Sequence, residues 1–159
     1  MTTQKSMKKQ KLFSHKIIKT SDNPEETFNV AKEIAQKTEG PFLVGLDGEL
    51  GVGKTIFAKG FAEGLEVKEL ITSPTFLGIS ESYSGRSPFI HMDFYKKVVP
   101  LEKINFYLAK NSVVLIEWYE NYFKVFQNEL LEADLRVYIH YSKDKDDNIA
   151  NTARQIVIS

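Results

Sequence analysis

The sequence predicts an α/β fold, a mixed β-sheet flanked by helices. Three observations predict it. Two short, nearly continuous apolar runs, FLVGLD (Phe42–Asp47) and SVVLIEW (Ser112–Trp118), read as strands buried on both faces, as in a parallel sheet. Segments with apolar residues at helical spacing alternate with strand-like ones, which is the pattern of a layered α/β domain. Hairpin-like pairs add antiparallel partners, which makes the sheet mixed.

Taken in order, HKIIKT (His15–Thr20) reads as a short strand. SDNPEETFNVAKEIAQKTEG then reads as a helix. Asp22 or Asn23 caps it, Pro24 suits its first turn, and Glu25 and Glu26 complement the positive end of its dipole. Phe28, Ala31, Ile34 and Ala35 share one face, and Gly40 and Pro41 are expected to end it. After the strand Phe42–Asp47 comes a glycine-rich loop. TIFAKGFAEGL (Thr55–Leu65) resumes helical spacing, with Phe57, Phe61 and Leu65 on one side. TFLGISESY (Thr75–Tyr83) and PFIHMDFY (Pro88–Tyr95) are strand-like, and SGRS (Ser84–Ser87) is the turn between them. PLEKINFYLAK (Pro100–Lys110) reads as a helix, and ENYFKVFQNELL as another after the strand that ends at Trp118. DLRVYIHY (Asp134–Tyr141) and ARQIVIS (Ala153–Ser159) form a closing antiparallel pair around the polar loop SKDKDDNIANT.

A chain of 159 residues has single-domain length and buries one core. The 42% apolar content is that of a globular domain, and the formal net charge is zero. No global basicity or acidity points to a class of partner. Cysteine is absent, which excludes disulfides and thiolate metal sites and suits a reducing compartment. No apolar run reaches the roughly 18 residues of a membrane span. The N-terminus lacks the apolar core of a secretory signal. A cytoplasmic protein is expected, with no membrane contact. Residues 1–14 read as a flexible basic tail and residues 15–159 as a single domain. Lys5, Lys8, Lys9, Lys11, Lys16 and Lys19 crowd the first twenty residues. A frayed, solvated terminus accounts for them. The competing reading is an arm touching RNA phosphates, which would make binding salt-dependent.

The loop carries the chemistry. Gly48-Glu49-Leu50-Gly51-Val52-Gly53-Lys54-Thr55 fits G-x-x-x-x-G-K-[ST] without a mismatch. Glycines let backbone N–H groups close around phosphate oxygens without side chains in the way. The helix that follows adds unpaired N–H donors and a positive dipole end. Lys54 is placed to reach the β- and γ-phosphates. The Thr55 hydroxyl suits Mg2+, a hard cation that takes oxygen ligands. The pattern alone arises by chance, but here it lies between a buried strand and a helix, which is the context the chemistry requires.

Such a loop works with a carboxylate at the end of a neighbouring apolar strand. Glu117 ends VVLI and fills that role, at the edge of the sheet where ligands of open α/β sheets bind. The structural alternative is a strand cap or a partner for a lysine. Asp93, after FIHM, is a second candidate, either to polarise the attacking water or to support the metal shell. His91 reads as packed or hydrogen-bonded rather than catalytic. Trp118 fits the core as well as it fits the site.

GELGVGKT, TSPTF, HMDFYK and LIEW, in this order and at these intervals, resemble the TsaE family of bacterial P-loop ATPases. The resemblance covers most of the chain, from about Thr20 to the C-terminal strands. It implies a P-loop NTPase-like sheet and a weak Mg2+-dependent ATPase. That family works in making threonylcarbamoyladenosine in tRNA, at the adenosine beside the anticodon. Its members act with TsaD and TsaB, so tRNA is met through the complex. By motif, Lys54 and Thr55 take the phosphate and Mg2+ roles, Glu117 the metal-associated glutamate, and Asp93 a functionally important aspartate. Thr72, Ser73, Pro74 and Thr75 match a switch-like loop that senses the γ-phosphate. Trp118 matches a tryptophan next to the nucleotide, and the region from Asp22 to Thr27 lies near the base. The chain departs from the family pattern at Lys96, where arginine is common, and at Tyr119, where a proline or small residue is common. VVPLEKINFYLAKN also lacks a usual glycine-containing stretch. Lysine keeps the charge but loses the planar fork of arginine.

Two rival functions share the same loop. A small P-loop kinase would clamp the transferred phosphoryl group with arginines, and this chain has only Arg86, Arg136 and Arg154, in no cluster. A nucleotide switch that does not depend on hydrolysis needs the same cradle as a weak ATPase, and assays with partner proteins separate the two.

Overall fold

The computed structural model describes residues 12–74, 78–142 and 153–159. Its elements run β1 (Ile17–Ser21), α1 (Pro24–Ala35), β2 (Phe42–Gly48), α2 (Lys54–Gly64), β3 (Ile79–Ser82) and β4 (Phe89–Asp93). Then come α3 (Leu101–Ala109), β5 (Val113–Glu117), α4 (Asn121–Val125), β6 (Leu135–Tyr141) and β7 (Arg154–Ile158). Most of the basic tail (residues 1–11), Thr75 and most of the polar loop before β7 (143–152) lie outside the described residues.

The seven strands form one mixed sheet in the order β1-β7-β6-β2-β5-β4-β3. The middle four are parallel, with β2 between β6 and β5, and β4 beyond β5. The margins are antiparallel: β3 on β4 at one side, β7 on β6 and β1 on β7 at the other. All residues of β2, β4 and β5 are buried. That is the continuous apolar pattern a covered parallel strand requires.

Side chains alternate across the sheet and build two cores. On one face, Ala31, Ile34, Phe57 and Phe61 from α1 and α2 pack on Val44, Phe89, Val113 and Leu115. On the other, Ile104, Tyr107 and Tyr122 pack on Leu43, Ile90, Met92, Val114 and Ile116. The helices α1 and α2 approach closely because Gly60 and Gly64 face α1. A Cβ on Gly60 would lie 2.1 Å from the Phe28 carbonyl oxygen, and one on Gly64 would lie 2.4 Å from that of Lys32.

Asn23, rather than Asp22, is the cap of α1: its side chain accepts the Glu26 N–H at 2.9 Å. Glu26 in return accepts the Asp22 N–H at 2.7 Å, a reciprocal cap. Two helices are shorter than their sequence pattern suggests. The first ends at Ala35 rather than near Gly40. There the buried Thr38 turns its hydroxyl onto the Ile34 carbonyl, at 2.9 Å, which satisfies the last turn and stops it. The second, α4, covers only Asn121–Val125 of the expected ENYFKVFQNELL. Phe126 leaves the helical region at φ −111°, ψ 69°. The chain turns there so that Tyr122 donates to Glu129 at 2.5 Å and Leu131 returns to the core. Among the described residues, no helix is long and apolar enough to cross a membrane.

Candidate functional site

The carboxyl ends of the parallel strands deliver the polar groups to one place. β2 ends at Gly48 and passes into the loop, which starts α2 at Lys54. Gly51 and Gly53 have φ of 77° and 120°, a region where a side chain would be strained. Gly53 caps α2 without a side-chain hydrogen bond, which leaves the first-turn N–H groups pointing out of the helix end. In adjacent register, β4 ends at Asp93 and β5 at Glu117, and these two are paired across the strands. A period of two carries Phe89, His91 and Asp93 to one face of β4, and Val113, Leu115 and Glu117 to the same face of β5.

Between the loop and these carboxylates lies a cavity of about 430 Å3. Leu50, Gly51, Gly53, Lys54 and Thr55 line it from the loop side. Ser73, Asp93, Tyr95, Lys96, Glu117 and Trp118 line it from the other. Val52 does not: its side chain is buried in the core. Gly48 and Glu49 face a smaller cavity of about 190 Å3 with Asp47 and Tyr138.

Lys54 is buried and folded back on its own loop. Its ammonium donates to the carbonyls of Gly48 at 2.6 Å and Glu49 at 2.8 Å. It also sits 4.1 Å above the Trp118 ring, a cation–π contact. Burial pushes its pKa down, against the pull of Glu117, Asp93, Asp47 and Glu49. Trp118 reaches this position through a left-handed backbone, φ 57°, and leans on Tyr95 at 5.0 Å between ring centres.

Thr55 donates to Glu117 Oε1 at 3.3 Å, and His91 Nε2 lies 2.9 Å from the same oxygen. Asp93 accepts from Ser73 Oγ at 2.9 Å and from the Tyr95 N–H at 2.8 Å. Ser73 thus carries the expected switch-like segment to Asp93. The start of α1 is also close: Thr27 Cγ2 lies 4.0 Å from where a Cβ on Gly53 would be.

A metal would find hard oxygen donors here, the Thr55 hydroxyl and the Glu117 carboxylate. Among the described residues, no group of three or more His, Cys, Asp or Glu is placed to hold a metal ion.

Sequence reasoning named Lys54, Thr55, Asp93, Glu117 and Trp118, and the fold brings all five to the cavity. It assigned no role to Asp47, whose carboxylate accepts the Glu120 N–H at 3.0 Å and meets Arg136 at 3.4 Å. Burial raises the Asp47 pKa, opposed by that N–H and by Arg136. The signal was present, since an acid ends the apolar run FLVGL. His91 is hydrogen-bonded, as expected, but its partner across two strands could not be read from spacing.

A sequence model of the family described as "Threonylcarbamoyl adenosine biosynthesis protein TsaE" matches residues 21–154. The tRNA threonylcarbamoyladenosine biosynthesis protein TsaE of Bacillus subtilis (strain 168) is 36% identical over 133 residues, 82% of this chain and 82% of that protein. The protein of the same description from Aquifex aeolicus (strain VF5) is 35% identical over 101 residues, 62% of this chain and 74% of that protein. Among solved structures, the crystal structure of Bacillus subtilis YdiB matches with a TM-score of 0.67 at 31% identity, covering 91% of this chain and 84% of that one.

Proposed function

The chain belongs to the TsaE family, which places it in the biosynthesis of threonylcarbamoyladenosine in tRNA, and we propose that it serves there as a Mg2+-dependent ATPase, weak alone and dependent on TsaD and TsaB. The observation that carries this reading is the convergence of Lys54, Thr55, Asp93 and Glu117 on one cavity of about 430 Å3, at the N-terminus of α2. That volume falls in the range of small-ligand sites.

The residues divide the work as follows. The loop N–H groups and the start of α2 receive the phosphates. Lys54 leaves the Gly48 and Glu49 carbonyls and places its charge between the β- and γ-phosphates. Its desolvation makes charged phosphate oxygens better partners than neutral carbonyls. Trp118 stays against the nucleotide when Lys54 moves. Thr55 and Glu117 would hold Mg2+, and the ion would supply charge neutralisation to the phosphates. Asp93, fixed by Ser73, orients the attacking water. That water's oxygen bonds to the γ-phosphorus, the bond to the β–γ bridging oxygen breaks, the water's proton passes to the departing phosphate or to solvent, and ADP and phosphate leave. The start of α1 near Thr27 borders the base. Positioning and electrostatics are the whole of such catalysis, so a site incomplete without its partners turns over slowly.

The test is Mg2+-dependent ATP hydrolysis by the purified chain, alone and with TsaD and TsaB from the same source. Slow turnover that the partners change is the expected result. Brisk hydrolysis indifferent to them would mark an independent enzyme. ATP binding with no hydrolysis under any condition would mark a passive nucleotide switch.

A further inference from the structure

His91 is a polar residue in the middle of a fully buried strand, Phe89–Asp93. Its side chain and that of Glu117 are 1% and 3% exposed. Its Nε2 lies 2.9 Å from Glu117 Oε1, and its Nδ1 is buried with no partner among the described residues. An orphaned ring nitrogen is a cost that an apolar residue in this place would avoid. What the histidine supplies in return is a single bond, the one to Glu117. Because Nδ1 faces no acceptor, the tautomer with its proton on Nε2 wastes no donor, so Nε2–H donates to the carboxylate.

We propose that His91 is a positioning residue for Glu117, fixing the carboxylate so that it meets Thr55 and the incoming Mg2+ in one orientation. This rests on the nucleotide-site reading above. The geometry is specific. His91 stands opposite Leu115 in the register, so Glu117 is its diagonal neighbour on the same sheet face. The ring is held on its other side by Phe89, at 6.2 Å between centres. Oε1 of Glu117 therefore accepts from His91 at 2.9 Å and from Thr55 at 3.3 Å. With Oε1 tied down twice, the orientation of the carboxylate is set, and Oε2 is the atom that would take the metal. Without His91, the hydrogen bond left to Oε1 among the described residues is the longer one from Thr55. Partners that orient a metal-binding group commonly change metal affinity by about 10–100-fold when removed.

The experiment reads binding rather than turnover. Trp118 is the chain's one tryptophan, and it lines the cavity, so its fluorescence reports ADP binding directly. ADP is titrated with Mg2+ and again with excess chelator, and the ratio of the two affinities is the Mg2+ gain. His91→Leu is expected to cut that gain about tenfold or more while the affinity without metal stays as in the wild type. His91→Gln, whose amide nitrogen reaches the same oxygen, should keep most of the gain. In a Glu117→Gln background, His91→Leu should change nothing further. An undiminished gain in His91→Leu overturns the proposal. So does an equal loss in His91→Gln, or an additional loss in the Glu117→Gln background. A wild type that binds ADP with no Mg2+ gain overturns the metal-site reading, and this inference falls with it.

Discussion

Lys54 is bonded through its ammonium to the two carbonyls that begin its own loop. Its charge is thereby held ready, in a place where burial already disfavours it. Replacing it by alanine should lower ATP affinity by about two orders of magnitude, since a desolvated, charge-assisted contact is lost. Unchanged affinity in calorimetry would remove the loop from the site. Glu117→Ala should instead leave nucleotide bound but abolish most Mg2+-dependent turnover. Asp47 predicts a pH effect. Burial raises its pKa in the folded state, so its contribution to stability is fully present below the unfolded value and is lost as pH rises through the folded one. Asp47→Asn should therefore gain melting temperature relative to wild type as pH climbs upward from the ordinary carboxylate range. A difference independent of pH would show that the carboxylate is not strained by burial. At this scale the sequence was informative where one motif fixes positions by spacing, as for Lys54 and Thr55, which both line the cavity. It was silent on pairs such as Ser73 with Asp93, which only the sheet brings together.

The helices and strands appear in the expected order because apolar periodicity is a local signal. Their ends were less legible. The stops of α1 and α4 depend on where Thr38, Tyr122 and Leu131 find partners in the fold. The close contact of α1 on α2 depends on two missing side chains. At Gly60 the obstacle to a Cβ is the Phe28 backbone, at 2.1 Å, which no rotamer change can clear. Gly60→Ala should cost about 1–3 kcal/mol through overpacking, despite the better helix propensity of alanine. A melting temperature several degrees below wild type is the expected reading. An increase would mean that propensity outweighs the close approach. Since α2 begins at Lys54, the displacement would also reach the loop.

At the scale of the molecule, the parallel centre of the sheet was legible from FLVGLD and VVLIE, and the closing pair was legible from its flanking turn residues. Strand order was not. Nothing in HKIIKT says that its partner is β7, over a hundred residues away, because non-local pairing leaves no local trace. The order β1-β7-β6 has a temporal meaning as well as a spatial one. Among the described residues, β1 is the earliest strand in the sequence, and it is joined to the sheet only through β7, the latest. Until β7 is translated, β1 lacks its native partner, while α1 can already pack on α2 through Gly60 and Gly64. The residues that line the cavity run from Leu50, just after β2, to Trp118, just after β5, so the site is encoded before the strand that closes the sheet's margin, and that margin is the last part of the fold to form.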